Sequence, residues 1–143
     1  MAPKLFIDSD MVIDFFTDRE PHANPASELF DLNEKGEVAL FLSAVSINNL
    51  YYIVRRYLGH KKTLEVIEEL LDMTEIIGTT RKEIVQALKN DFKDFEDSVQ
   101  YSSALTIEGV EAIITRNIKD YRNSKIAVMT PLNYLKMKDK NES

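Results

Sequence analysis

Short blocks of consecutive apolar residues alternate along this chain with longer stretches in which apolar positions recur every three or four residues. The blocks are Leu5-Phe6-Ile7, Val38-Ala39-Leu40-Phe41-Leu42, Glu75-Ile76-Ile77, Glu111-Ala112-Ile113-Ile114-Thr115 and Lys125-Ile126-Ala127-Val128-Met129. Each reads as a strand, and most are apolar at successive positions, as in a strand covered on both faces. Between them, Val12, Ile13, Phe15 and Phe16 predict a short helix, and Pro21-His22-Ala23-Asn24-Pro25 predicts a loop. Ala26, Leu29, Phe30 and Leu32 then form a helical stripe. Ser43 or Ser46 can cap a helix running to about Leu58, which Gly59 ends. Leu64, Ile67, Leu70 and Leu71 give helical periodicity over 63–73, further helices are expected over 80–88 and 95–106, and Pro131 opens a last one.

Strands alternating with helices predict an α/β fold: three layers, α/β/α, around a central parallel sheet of four to five strands. No linker or repeat divides the sequence, so the expectation is a single domain over residues 1–143. The 143 residues are 44% hydrophobic and 29% charged, which suits a globular chain and argues against disorder, collagen and coiled coil. The chain has no cysteine and two histidines, which excludes a disulfide scaffold, a thiolate zinc site and a cysteine nucleophile. The apolar run near the amino terminus is short for a signal peptide, and no stretch approaches a membrane span, so a cytoplasmic protein is expected. Net charge is −6, which disfavours indiscriminate binding to bulk nucleic acid. The distribution is uneven, however: residues 115–143 carry 7 Lys+Arg against 3 Asp+Glu, a local +4.

In a parallel sheet, ligands gather beyond the carboxyl ends of the strands. The residues to inspect are therefore Asp8-Ser9-Asp10, the segment 43–49 and Thr115-Arg116-Asn117-Ile118-Lys119-Asp120, with Asp94 and Asp97 at a helix start facing them. Carboxylates brought together repel one another unless a cation neutralises them. With Asp and Asn as donors and no Cys, that cation is a hard one, Mg²⁺ or Mn²⁺, which suits phosphoryl chemistry. Each residue also has a plainer reading. Asp8 can cap the next helix, and Asp94 and Asp97 suit a first helical turn. Asp120 can be a solvated loop acid. The aromatic and basic residues Tyr51, Tyr52, Arg55, Arg56, Tyr57 and Lys61 read first as packing and solubility.

Four pieces, in order, resemble the PIN-domain family of nucleases, which includes many toxins of toxin–antitoxin pairs. They are Phe6-Ile7-Asp8-Ser9-Asp10-Met11-Val12-Ile13-Asp14, the segment from Leu42 to Ile53, Asp94-Phe95-Glu96-Asp97-Ser98-Val99-Gln100, and the segment from Ile113 to Tyr121. The closing Val128-Met129-Thr130-Pro131 fits as well. The resemblance implies a Mg²⁺- or Mn²⁺-dependent endoribonuclease with Asp8, Asp97 and Asp120 as catalytic and metal-binding carboxylates. Asn49, Thr115 and Asn117 would support them, and Arg116 and Lys119 would neutralise the phosphate of an RNA substrate. Asn49 stands where the family commonly has Glu, and Asn117 where it often has Asp, a pattern similar to one subgroup of the family. A small antitoxin protein and a homodimer are the implied partners, with no membrane.

Two other classes compete. Asp8-Ser9-Asp10 also resembles the strand-end motif of haloacid-dehalogenase-type phosphatases, with Asp8 as nucleophile and Asp10 as acid, although no later Lys and acidic pair accompanies it. A PIN fold depleted of acids at Asn49 and Asn117 can also be a non-catalytic module that binds RNA or protein.

Overall fold

The computed structural model describes residues 1–142 and shows five strands and six helices among them. The order is β1 (Lys4–Ile7), α1 (Ser9–Phe16), α2 (Ala23–Glu34), β2 (Ala39–Ser43), α3 (Ala44–Met73), β3 (Glu75–Ile77), α4 (Arg81–Lys89), α5 (Phe95–Ala104), β4 (Val110–Ile114), a 3-10 turn (Ile118–Tyr121), β5 (Ala127–Met129) and α6 (Pro131–Glu142). The strands lie in the order β3-β2-β1-β4-β5, and every neighbouring pair is parallel. This is the expected parallel sheet, at the upper end of the expected strand count. No described helix is long and apolar enough to cross a membrane.

The two-residue alternation of a strand divides the core into two layers. Leu5, Ile7, Leu40, Leu42, Ala112 and Ile114 point to one face, where they pack with residues of α1, α2, α3 and α6. Phe6 and Ile113 point to the other, where Tyr101, Ala104, Ile107 and Tyr121 cover them. Leu5, Phe6 and Ile7 are all fully buried, so β1 is the central strand both laterally and in depth. Burying side chains of that size contributes about 1.5–3 kcal/mol each.

Local signals set the element ends. Ser43 caps α3, its hydroxyl accepting the Ser46 amide at 3.2 Å. Gly59 adopts φ 81°, ψ 170°, a conformation essentially reserved for glycine, and breaks α3 into two helical halves. The helix resumes immediately after the break, so Gly59 marks an interruption where the sequence suggested an end. Before α4, the Thr80 amide and hydroxyl both donate to Glu83 Oε1, at 2.8 and 2.7 Å. These bonds hold the Glu83 carboxyl below its usual range. The expected loop over 21–25 is shorter than the pattern suggests. Helix α2 already begins at Ala23 and carries Pro25 in its first turn, where a missing N–H costs no helical hydrogen bond.

Chain topology then fixes where a site can form. From β1 the chain moves outward to β2 and β3, and later returns to place β4 and β5 on the other side. The reversal falls between β1 and β4, a switch point that opens a crevice above their carboxyl ends. Asp8 and Thr115 are the first residues beyond those two strands. The Asp8 amide donates to the Ile114 carbonyl at 2.9 Å, and the Thr115 amide to the Met129 carbonyl at 3.0 Å.

Candidate active site

Asp8 occupies the N-cap position of α1 but makes no capping hydrogen bond with its side chain. Its Oδ2 instead receives the hydroxyls of Thr115 at 3.1 Å and Tyr121 at 3.2 Å, while the Ser9 hydroxyl reaches Oδ1 at 3.4 Å. The capping reading of this residue therefore fails, and a strand-end carboxylate held by residues 107 and 113 positions away takes its place. No cation pairs with it among the described residues. Burial raises its pKa, and the hydroxyl donors offset only part of that rise.

Asp10, in the first turn of α1, leans on the same support. Thr115 Oγ1 lies 3.2 Å from Asp10 Oδ2, Asn117 Nδ2 donates to that oxygen at 3.0 Å, and the Arg116 amide approaches Oδ1 at 3.5 Å. Thr115 Oγ1 also accepts the Asn117 amide at 3.1 Å. A hydroxyl carries one hydrogen, so Thr115 can donate to only one of the two carboxylates at a time. The other is left facing a lone pair. Burial and the nearby Asp8 charge push the Asp10 carboxyl up to about 7.

The second wall comes from α5. Asp94 caps this helix, accepting the Asp97 amide at 3.0 Å, so the plainer reading of Asp94 holds. That cap places Asp97 in the first turn, where burial and the charges of Asp8, Asp94, Asp120 and Glu96 push its carboxyl up to about 7. Asp97 thus feels the charges of both Asp8 and Asp120. Asp120 is exposed, on the 3-10 turn, and lines with Asp97 a cleft of about 620 Å³. Asn49, on α3, donates through Nδ2 to Glu96 Oε1 at 2.9 Å. A carboxylate is therefore present beside the α3 position, but it is contributed by α5. Lys119 lines the cleft with Asp97 and Asp120. Arg116 turns elsewhere: its Nε lies 3.5 Å from Asp14 Oδ2, and it lines a separate pocket with Asp14, His22 and Pro131.

Sequence reasoning missed three residues here. Tyr121 was overlooked because an aromatic in a loop reads as core, and it is indeed 1% exposed; only its hydroxyl reaches Asp8. Asp14 is 2% exposed and ion-paired with Arg116, with His22 and Arg19 also near enough to act on its charge, and its Oδ1 has no hydrogen-bond partner among the described residues. Asp10 is read there as a strand-end residue to inspect and as the acid of the phosphatase alternative, but not among the metal-binding carboxylates. Its spacing from Asp8 was the one available signal.

The donor set fits a hard divalent ion. It consists of oxygens, carries excess negative charge, and shares one hydroxyl donor between two half-buried carboxylates. Among the described residues no three acidic side chains close into a ready-made cage. An ion bound here would take only a few protein oxygens and keep several waters, as Mg²⁺ does. Thr115→Val preserves volume in a fully buried position while deleting the hydroxyl. It is expected to weaken Mn²⁺ affinity by about 10- to 100-fold, the usual effect of losing a residue that orients metal ligands. Calorimetric titration with Mn²⁺ checks this, and an unchanged affinity would remove Thr115 from the site.

Comparison with known proteins agrees with this architecture. Residues 4–119 match the PIN domain family. The chain is 28% identical over 134 residues to Ribonuclease VapC1 of Aquifex aeolicus (strain VF5), covering 90% of this chain and 91% of that protein. Its fold superposes on DNA-bound VapBC from Salmonella typhimurium with a TM-score of 0.68 at 17% identity, covering 90% of this chain and 98% of that one. A toxin–antitoxin complex from Klebsiella pneumoniae gives 0.66 at 21% identity, covering 89% and 97%.

Proposed function

Because the chain belongs to the PIN-domain family, as its match over residues 4–119 shows, we propose that it is a divalent-metal-dependent endoribonuclease and the toxin of a toxin–antitoxin pair. The observation that carries this reading is the placement of Asp8. It is a half-buried strand-end carboxylate at the switch point of the sheet, held by Thr115 and Tyr121 and close enough to Asp97 to raise its pKa. The relative at 28% identity is named as a ribonuclease, the Klebsiella structure is a toxin–antitoxin complex, and the Salmonella structure is a DNA-bound VapBC. They support RNA as substrate and a small antitoxin as partner. We infer further that the 143 residues work as one domain, that the protein acts in the cytoplasm, and that it pairs with a second copy.

In this reading Asp8, Asp97 and Asp120 hold Mg²⁺ or Mn²⁺. When bound, the ion supplies Lewis acidity to a phosphodiester oxygen and acidifies a water. The protein does the rest. Thr115 and Tyr121 fix the Asp8 carboxylate, and the Asp94 cap fixes Asp97. Asn117 orients Asp10, and Asn49 orients Glu96. Lys119 faces the substrate side of the cleft and offsets phosphate charge. Arg116 is a phosphate ligand only if it leaves Asp14; in the structure its guanidinium balances that buried carboxylate.

The test is cleavage of a labelled single-stranded RNA by the purified protein. Strand scission with Mg²⁺ or Mn²⁺, lost on adding EDTA and restored by excess metal, is the expected result. Scission that persists unchanged in EDTA would rule out the metal-dependent reading. The phosphatase alternative finds no support in the family match, and turnover of a small phosphate ester is expected to be absent.

A further inference from the structure

The Asp94 cap fixes Asp97 within α5, but it does not fix α5 over the sheet. Apolar contact does only part of that. Residues Ser98 to Ala104 are all buried, yet Ser98, Gln100, Ser102 and Ser103 among them are polar. Buried polar groups cost stability unless they find partners, and these do. The Ser98 hydroxyl donates to the Ala87 carbonyl at 2.8 Å, the Asn90 amide donates to Ser102 at 2.9 Å, and Ser103 bonds Thr79 at 2.9 Å. Those three bonds tie α5 to α4 and to the segments flanking it. Gln100 instead reaches the carboxyl end of β2.

Gln100 Nε2 donates to Ser46 Oγ at 2.5 Å, and Ser43 Oγ donates to Gln100 Oε1 at 3.2 Å. The two serine hydroxyls lie 3.2 Å apart. Each carries one hydrogen, and that of Ser43 already points to Gln100, so Ser46 is the donor between them. The result is a closed ring in which amide, Ser46 and Ser43 donate in turn, each bond polarising the next. Gln100, Ser46 and Ser43 are 2%, 0% and 1% exposed, so water does not replace these bonds. The other link between α3 and α5, from Asn49 to Glu96, is exposed.

The ring joins two places that matter to the site. Gln100 follows Asp97 by three residues, so both lie on one side of α5. Ser43 ends β2. Phe6 of β1 pairs with Phe41 of β2, and Asp8 and Ser43 each stand two residues beyond that pair on neighbouring strands. We propose that Gln100 is a positioning residue: through its ring with Ser43 and Ser46 it sets where Asp97 stands relative to Asp8, and so the fit of both carboxylates to one divalent ion. This rests on the metal-dependent reading above. Both ends of the Gln100 amide are engaged by the serines, so it acts through Asp97 and not on the ion.

The experiment compares the wild type with Gln100→Met, which keeps the side-chain length but deletes the amide, with Ser46→Ala, and with the double variant. The control is Ser102→Ala, which removes a buried α5 bond outside the ring. Mn²⁺ affinity is measured by calorimetric titration well below each melting temperature, and the electron paramagnetic resonance spectrum of the bound ion is recorded. Gln100→Met and Ser46→Ala are each expected to weaken Mn²⁺ binding by about 10- to 100-fold and to alter the spectrum, as when other outer supports of metal ligands are removed. The double variant is expected to lose no more than either single one, because one break opens the ring. Ser102→Ala is expected to lower the melting temperature and keep the wild-type affinity and spectrum. Unchanged affinity in both single variants, equal loss in Ser102→Ala, or losses that add in the double variant would each overturn the role of Gln100 and leave the metal-dependent reading standing. A wild type that takes up no Mn²⁺ would overturn that reading itself, and the role of Gln100 with it.

Discussion

Asp8→Asn is expected to abolish RNA cleavage, with a loss of at least about 10³-fold, and at the same time to raise the melting temperature of the cation-free protein. The activity loss follows from removing a ligand whose ion contributes several kcal/mol to the transition state. The stability gain follows from burial. Asp8 lies among hydroxyls with no cation beside it, and its carboxyl is raised from the ordinary carboxylate range. A carboxyl whose folded pKa lies above its unfolded value favours the folded state at low pH. That advantage is lost as pH rises through the unfolded and then the folded value. For Asp97 and Asp10, both pushed up to about 7, the window runs from the ordinary carboxylate range to neutrality. In EDTA the wild-type melting temperature is therefore expected to fall between about pH 4 and about pH 7, and the Asp8→Asn protein to fall less. Added Mn²⁺ should recover the wild type and leave the variant nearly unmoved. Scanning calorimetry with a parallel cleavage assay decides the matter. An Asp8→Asn protein that still cuts RNA, or melts below the wild type at neutral pH in EDTA, would contradict the role given to this residue.

Phe6→Ala is expected to cost about 3–5 kcal/mol, the range for deleting a buried aromatic ring. Against a total stability of about 5–15 kcal/mol for a domain, that is a large share. Phe6 is fully buried on the central strand, two residues before Asp8. It shares a cluster with Ile113, Tyr101 and Tyr121, so the cavity opens directly beneath the tyrosine whose hydroxyl holds Asp8. Urea unfolding should show a lowered midpoint with little change in slope, and Phe6→Leu should recover most of the loss. A midpoint within experimental error of the wild type would show that this layer carries little of the stability.

How much of this was legible in the sequence depends on range. The five apolar blocks predicted five strands, and each is a strand within two residues of its expected start. Strand-end positions pointed to Asp8, Thr115 and Asn117 because a parallel sheet makes that edge special whatever the strand order. The order itself, with β1 between β2 and β4, is absent from local pattern. So are the pairings that follow from it: Thr115 and Tyr121 on Asp8, Asn117 on Asp10, and Asn49 on Glu96. Tyr121 looked like core because most of it is core. Arg116 looked like a free cation because the carboxylate that claims it, Asp14, sits in the second turn of the apolar helix α1 and reads as surface.

The distance along the chain between Asp8 and its supports carries a consequence for synthesis. The hydroxyls that fix this carboxylate lie 107 and 113 residues downstream. At a translation speed of roughly 5–20 residues per second, the ribosome makes them several seconds after the aspartate itself. Through that interval the growing polypeptide carries the aspartate without the hydroxyls that orient it. Any chemistry that needs this carboxylate held in place therefore waits until Tyr121 has been made.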